Sequence, residues 1–547
     1  MDELIIETGP FEERAVSGIE SEHLTNYPIV YILHNNRKKP AAYIGQTVQA
    51  ARRLRQHLAD DRRSRLDQQI LIGHRRLNQS ATYNIESRLI NLFIADSRYE
   101  LQNVSQTASR QMHNYYDKSY YNDTLFRDIW ERLRNEQIVD GTIDALENKD
   151  VYKLSPYKEL TPEQLDVKER VLDFCEKHAQ TDGHHVFIVE GDAGTGKSVL
   201  LSSLFNTIQD LADEASSSLY QTENRLLVNH GEMLKTYKSM TGSLPNLKKK
   251  HFDKPTSFIN KMDRDDAKAD IVLVDEAHLL LSKPDAYNNF HYDNQLQEII
   301  KRSRVTIVIF DRMQVLKLKS YWNDRLMEEI TGTYQAERMR LTDQMRMNID
   351  APAKAWIDAF VAKELKPIPD RTDTTFQLQV FADPDAFRKE IEAHNEAYGL
   401  ARIVSTFDYL HKKDGADYLV DEAGLNMPWN RTQDDVTWAE QPETIYEVGS
   451  IYTVQGFDLN YTGVVLGPSI RYDKENDRIR IDTNAYRDTG AFQSRNDMTQ
   501  EEIAQVKEQI ILNSLNVLMK RGIHGLCIYP TDPCLRERML ELQEERQ

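Results

Sequence analysis

The sequence predicts a multidomain α/β protein: a small mixed α/β domain first, then two lobes built on parallel sheets. Three observations carry this prediction. Val186-Phe187-Ile188-Val189 is an apolar, mostly β-branched run that enters a glycine-rich turn, Glu190-Gly191-Asp192-Ala193-Gly194-Thr195-Gly196-Lys197-Ser198, and then helix-like Val199-Leu200-Leu201. Two more apolar runs end in acidic residues, residues 269–276 at Asp275-Glu276 and residues 305–311 at Asp311, as strands of a parallel sheet do when they present polar groups at their carboxyl ends. Finally, 547 residues exceed what one core holds and suit roughly three or four domains. The expected divisions are 1–106, a helical linker at 107–158, a first lobe at 159–335 and a second lobe with an insertion at 336–547.

Composition narrows the class. A hydrophobic fraction of 40% with 29% charged residues and a mean hydropathy of -0.63 describes a soluble chain. No run approaches the roughly 18 apolar residues of a membrane span, and Met1-Asp2-Glu3 is acidic where a signal peptide is basic, so a cytosolic location without membrane partners is expected. Three scattered cysteines, Cys175, Cys527 and Cys534, fit core thiols in a reducing compartment rather than a disulfide framework or zinc site. The net charge of -18 argues against a protein that coats nucleic acid everywhere, yet residues 37–88 hold twelve Lys or Arg against four Asp or Glu.

That basic stretch follows a hairpin. Residues 27–36 and 41–47 read as two strands, residues 50–58, with Arg52, Arg53 and Arg55, read as a basic helix, and residues 84–93 read as another helix. Ile29-Val30-Tyr31 and Tyr43-Ile44-Gly45, followed by Arg53, His57, Glu86 and Asn103, resemble the GIY-YIG nuclease domain. Two positions depart from its pattern: Ile29 replaces the first glycine, and Gln46 stands where many members have lysine.

The chemistry of phosphodiester hydrolysis asks for such residue types: a base for water, a cation for the developing charge, and a ligand for one divalent metal. The resemblance implies Glu86 as that metal ligand, Arg53 as the transition-state cation, and Tyr31 as base or water-orienting group with Tyr43 and His57 assisting. A free phenol has a pKa near ~10, so the base role requires neighbouring cations or the metal to favour phenolate, and the Arg-rich helix is expected to supply them.

Residues 107–158 read as a linker carrying a helix near 124–137, with Tyr115, Tyr116, Tyr120 and Tyr121 taken as packing rather than base-stacking groups. Next, Thr161 with Gln164 has the spacing of a capping box, while the same Gln164 shortly before a phosphate loop also suits an adenine-reading Q-motif, which is preferred here. In the loop itself, Gly191, Gly194, Thr195 and Gly196 let backbone N–H groups face a phosphate, Lys197 reaches the β and γ phosphates, and Ser198 holds Mg2+. Asp275 would hold Mg2+ through water and Glu276 would polarise the attacking water; His278 completes an Asp-Glu-Ala-His motif. Gln314, after the next strand, would sense the γ phosphate.

The last third adds Arg346, the segment around Thr453 and Gln455, the strand 462–467, and Arg521. From Gln164 to Arg521 this order resembles superfamily 1 helicases, most closely the helicase-like domain of Schlafen proteins, which implies two RecA-like lobes with Arg346 and Arg521 as arginine fingers. Candidate strand contacts are Asn229, His230, the turn 255–258, Thr453, Gln455 and Trp429; for Trp429 a loop anchor is the preferred reading. Residues 364–435 carry no assignable motif. The expectation is an ATP-dependent helicase or translocase coupled to a metal-dependent endonuclease, in phage defence or DNA repair. Its cofactors are ATP, Mg2+ and a divalent metal in the nuclease; its partner is single-stranded or forked DNA, with RNA as the alternative and an oligomer or protein partner allowed. The competing expectation is an ATP-gated nucleic-acid sensor with an inactive or non-processive nuclease domain.

Overall fold

The computed structural model describes residues 4–545 apart from 104–115, 192–193, 287–288, 312–317, 319–321, 323, 343–350, 371–375, 413–415, 432–437, 455–457 and 493–498. The chain divides into two compact units. One comprises Met1–Lys177, Ser198–Asn224 and Thr236–Phe252; the other comprises His178–Lys197, Arg225–Lys235 and Asp253–Gln547.

The first unit carries a five-stranded sheet of β1 (Ile5–Pro10), β2 (Ile29–His34), β3 (Ala41–Thr47), β4 (Gln68–Gly73) and β5 (Glu100–Leu101), in the order β1-β4-β2-β3-β5. All neighbours are antiparallel except β3 and β5. The central strand β2 is buried at every residue, so it reads as a continuous apolar run instead of alternating. Helix Ala50–Leu58 turns Ala50, Leu54 and His57 inward at helical spacing and leaves Arg52, Arg53 and Arg55 exposed. Helix Gln79–Asp96 is longer than the predicted 84–93 at both ends. Asn78 Oδ1 accepts the Ala81 N–H (2.9 Å) and starts it early, and Ser97 ends it in a left-handed conformation (φ 60°).

The segment expected to be a linker is packed where it is described. Helices Phe126–Asn135, Ile143–Glu147 and Asp150–Lys153 follow a π-helical stretch, Tyr120–Leu125. Their side of the unit is tied to helix Gln79–Asp96: Arg88 donates to Glu147 (2.8 Å), Lys149 to the Ala95 carbonyl (3.0 Å), Ser155 to Asn91 (2.6 Å) and Ser87 to the Tyr157 carbonyl (3.1 Å). Tyr121 is buried there and Tyr116 is exposed, while Tyr115 lies outside the described residues.

Two sheets follow. One contains β6 (His185–Gly191), β7 (Asn224–Val228), β8 (Phe252–Asp253), β9 (Ala269–Asp275), β10 (Ser303–Phe310) and β11 (Gln335–Leu341), ordered β11-β6-β10-β9-β7-β8. Its central pairings, β11 with β6, β6 with β10 and β10 with β9, are parallel, which places the ends of β6, β9 and β10 on one edge. The last sheet is made of β12 (Gln377–Val380), β13 (Ala401–Ser405), β16 (Val448–Gly449), β17 (Leu459–Leu466) and β20 (Gly522–Pro530), all neighbours parallel, in the order β12-β20-β17-β13-β16. Two ribbons interrupt it: β14 (Leu419–Val420) with β15 (Met427–Pro428), and β18 (Ile470–Asp473) with β19 (Arg478–Ile481).

The motif-free stretch 364–435 therefore supplies β12, helix Pro384–Tyr398 and β13, with Asp383 capping the helix through the Ala386 N–H (2.8 Å). Trp429 is a fully buried anchor, set edge-on to Phe407 and Tyr409, and it offers no face to a base. Among the described residues no helix is long and apolar enough to cross a membrane.

Candidate nucleotide site and a second cleft

The phosphate loop leaves β6 at Gly191. Gly194 (φ 91°) and Gly196 (φ 72°) take the left-handed backbone that only glycine adopts without strain, which curls the chain back on itself before helix Lys197–Asp213. Thr195, Lys197 and Ser198 are all buried. Lys197 Nζ donates to the Gly191 carbonyl (2.8 Å) and to Asp311 Oδ2 (3.0 Å), at the end of β10. Asp275 closes β9, and its Oδ1 accepts the Glu276 N–H (2.9 Å), holding Glu276 in a left-handed conformation (φ 50°).

Glu276 faces His278, whose Nε2 lies 3.0 Å from Glu276 Oε2. Burial works against the charged carboxylate, but His278, Lys197 and Arg521 together outweigh it and hold Glu276 below the usual carboxylate range. Arg521, just ahead of β20, is buried and close enough to act on Glu276. Residues from both ends of the helicase-like order thus share one electrostatic neighbourhood. Gln314, Arg346 and Gln455 lie outside the described residues.

Gln164 sits in the first unit, and its Oε1 accepts the Thr161 N–H (3.0 Å) while its own N–H donates to Thr161 Oγ1 (3.1 Å). This is the capping box, and it engages the carboxamide oxygen that an adenine contact would use. Of the candidate strand contacts, His230 Nε2 lies 3.2 Å from the Tyr452 carbonyl and Asn229 donates to the Leu279 carbonyl (2.7 Å). Thr453 is buried and spends its hydroxyl on the Ser450 carbonyl (2.8 Å). In the 255–258 turn, Thr256 Oγ1 accepts from Gln295 (2.8 Å).

A second cleft, of about 280 Å³, opens in the first unit and brings Tyr31, Tyr43, Arg53 and Glu86 together. His57 backs it: its Nε2 is 2.8 Å from the Tyr31 hydroxyl. Tyr31 stands opposite Gly45 across β2 and β3, and a Cβ on Gly45 would lie 2.4 Å from the Tyr31 hydroxyl oxygen. The glycine is what lets the phenol cross its neighbour strand.

The electrostatics here correct one expectation. Burial, reinforced by Tyr43, pushes the Tyr31 phenol up, and Arg53 does not offset it, so the Arg-rich helix does not make Tyr31 a phenolate. His57 is pushed down to about 4 by burial and by Arg53 and Arg63, so it is neutral at pH 7. Sequence reasoning did not single out Arg63. It is buried, stacks its guanidinium 4.0 Å from the centre of the Tyr43 ring and donates to Gln102 (2.9 Å), and within a run of arginines nothing in the spacing distinguishes it. Asn103 pairs both backbone groups of Ile44 (3.1 and 2.7 Å) and so steadies the strand that carries Tyr43.

The family model for the Schlafen group 3 DNA/RNA helicase domain matches residues 184–532. The chain belongs to this family. The Schlafen-type match begins just ahead of β6 and runs past Arg521, so it takes in Lys197, Asp275, Glu276, Asp311 and Arg521, and leaves the Tyr31 cleft outside it. An uncharacterized protein of Saccharomyces cerevisiae is 39% identical over 413 residues, spanning 70% of this chain and 90% of that protein. Solved helicase structures are looser likenesses. Mss116p bound to single-stranded RNA and AMP-PNP is 10% identical, with coverage of 76% and 77% and a TM-score of 0.33. The helicase MrfA bound to DNA and AMPPNP is 10% identical, with coverage of 70% and 50% and a TM-score of 0.28.

Proposed function

We propose that this chain is an ATP-driven nucleic-acid motor that carries a phosphodiester-cutting domain. The observation that carries the reading is that Lys197 and Arg521 both act on the buried Glu276 within a helicase-family domain. The loop's N–H groups and Lys197 bind the triphosphate; Glu276, kept ionised, accepts a hydrogen bond from the attacking water; Arg521 donates to the charge that develops on the transferred phosphoryl group. Among the described residues no group of three or more His, Cys, Asp or Glu could hold a metal by itself. A hydroxyl and a carboxylate, as on Ser198 and Asp275, suit Mg2+, which keeps waters and phosphate oxygens and takes one or two protein ligands. Ser198 and Asp275 would hold it, and when bound it supplies charge neutralisation along the phosphates. Arg346 serves as the second arginine finger, Gln314 reads the γ phosphate, and Gln164 contacts adenine through its amide nitrogen.

In the second cleft the protonated Tyr31, hydrogen-bonded to the neutral His57, orients water, Arg53 faces the phosphate, and Glu86 would hold a divalent metal that supplies further charge stabilisation. The family's description as a DNA/RNA helicase domain supports a nucleic-acid partner, and the basic run 37–88 supports its passage over the first unit, with DNA the target we favour. Phage defence or DNA repair is the setting such a fusion suits. The buried, protonated Tyr31 favours a second reading, in which the cleft binds a strand without cutting it and the motor acts as an ATP-gated sensor.

A cleavage assay on labelled DNA separates them. Glu86→Ala is expected to abolish cutting and spare ATP hydrolysis, and Lys197→Ala to abolish hydrolysis and the ATP-dependent part of cutting. Unchanged cutting by Glu86→Ala would remove the nuclease assignment.

A further inference from the structure

We infer that Asp311 is a latch on the nucleotide site: its carboxylate holds the Lys197 ammonium, and a nucleoside triphosphate enters by displacing it. The inference deepens the nucleotide-site reading and rests on it. Lys197 Nζ and Asp311 Oδ2 are 3.0 Å apart, and the two side chains are 7% and 0% exposed, so water does little to screen the pair. Lys197 Nζ also donates to the Gly191 carbonyl at the root of the same loop (2.8 Å), which folds the lysine back onto its own strand end.

A triphosphate needs that cation, and two anions cannot both hold it at full strength. Binding therefore trades one ion pair for another and leaves the Asp311 carboxylate beside a polyanion. The affinity observed is reduced by the stability of the latched state, as for any ligand that must draw on a minor conformation. Asp311 is in this sense a positioning residue: it acts through Lys197, at the end of the strand that lies between β6 and β9. Removing its charge should destabilise the empty protein, because a buried ammonium loses one ion-pair partner, and should tighten nucleotide binding for the same reason.

The test uses the full chain and a fluorescent ATP analogue. Asp311→Asn is expected to lower the dissociation constant at least about fivefold, to lower the nucleotide-free melting temperature, and to enlarge the rise in melting temperature on adding ATP. A residue that merely supports the fold would give the second effect without the first. In a Lys197→Ala background the same substitution is expected to give a clearly smaller tightening, because only the direct repulsion between carboxylate and phosphates is then relieved; equal tightening there would overturn action through the lysine. Asp311→Ser removes the charge as well and reads the same if the asparagine variant does not fold. If the parent binds the analogue and the Asp311 variants bind it no better, the latch is wrong. If the parent does not bind it, the nucleotide-site reading fails and the latch with it.

Discussion

Tyr31 and Gly45 show what a residue can and cannot disclose from its letter alone. Both were visible in the sequence as members of a tyrosine-and-glycine hairpin, and the structure sets them directly opposite each other, with the phenol lying over the glycine. What the letter could not give was the environment. Burial keeps Tyr31 protonated where an Arg-rich neighbourhood suggested a phenolate, because desolvation depends on packing from strands far apart in sequence. Arg63 was invisible for the same reason, since only the folded chain separates the arginine that stacks on Tyr43 from those that face solvent. The close approach at Gly45 makes a definite prediction. Gly45→Ala should cost about 1–3 kcal/mol, the usual penalty for overpacking, and should displace the Tyr31 hydroxyl from His57. Chemical denaturation reads the loss, and a variant as stable as the parent would show that the strands are free to part.

At the scale of elements, local signals worked where local physics decides. The basic helix Ala50–Leu58 and the strand entering the phosphate loop coincide with their predicted places, because apolar spacing and glycines are sufficient there. The helix expected near 124–137 is found at Phe126–Asn135, but local signals do not carry tertiary packing: residues 120–158 are docked on helix Gln79–Asp96, and the motif-free stretch 364–435 holds two strands of the last sheet. One element junction carries a pH prediction. Asp408, just past β13, accepts from Ser469 N–H (2.9 Å), Ser469 Oγ (2.8 Å) and Thr406 Oγ1 (2.8 Å), and ties the end of β13 to the turn after β17. Burial pushes its carboxyl up to about 6 despite those donors. Between the ordinary aspartate value of 3.8 and about 6 the folded chain keeps a proton that the unfolded chain has released, so the contribution is present at acid pH and lost as pH rises through 6. The loss amounts to about 2–3 kcal/mol. Asp408→Asn should remove that slope from the melting temperature measured between pH 4 and 7, whereas parallel curves for variant and parent would contradict it.

For the whole molecule, the α/β class and the helicase-type order were legible because a phosphate loop and its acidic strand ends are local patterns repeated in a fixed order. The division into units was not, since residues 198–224 and 236–252 group with the amino-terminal unit only through long-range contacts, such as the Leu101 N–H to the Ser243 carbonyl (2.8 Å). The joint action of Lys197 and Arg521 on Glu276 is likewise a property of the folded chain. It is the centre of the functional reading, and ATP turnover by the full chain tests it most directly, measured with single-stranded, duplex and forked DNA and RNA, for the parent and for Lys197→Ala and Arg521→Ala. The account predicts turnover that nucleic acid stimulates, loss of turnover in the lysine variant, and a fall of at least about 10³-fold in the arginine variant. Turnover that ignores nucleic acid, or that survives either substitution, would contradict it.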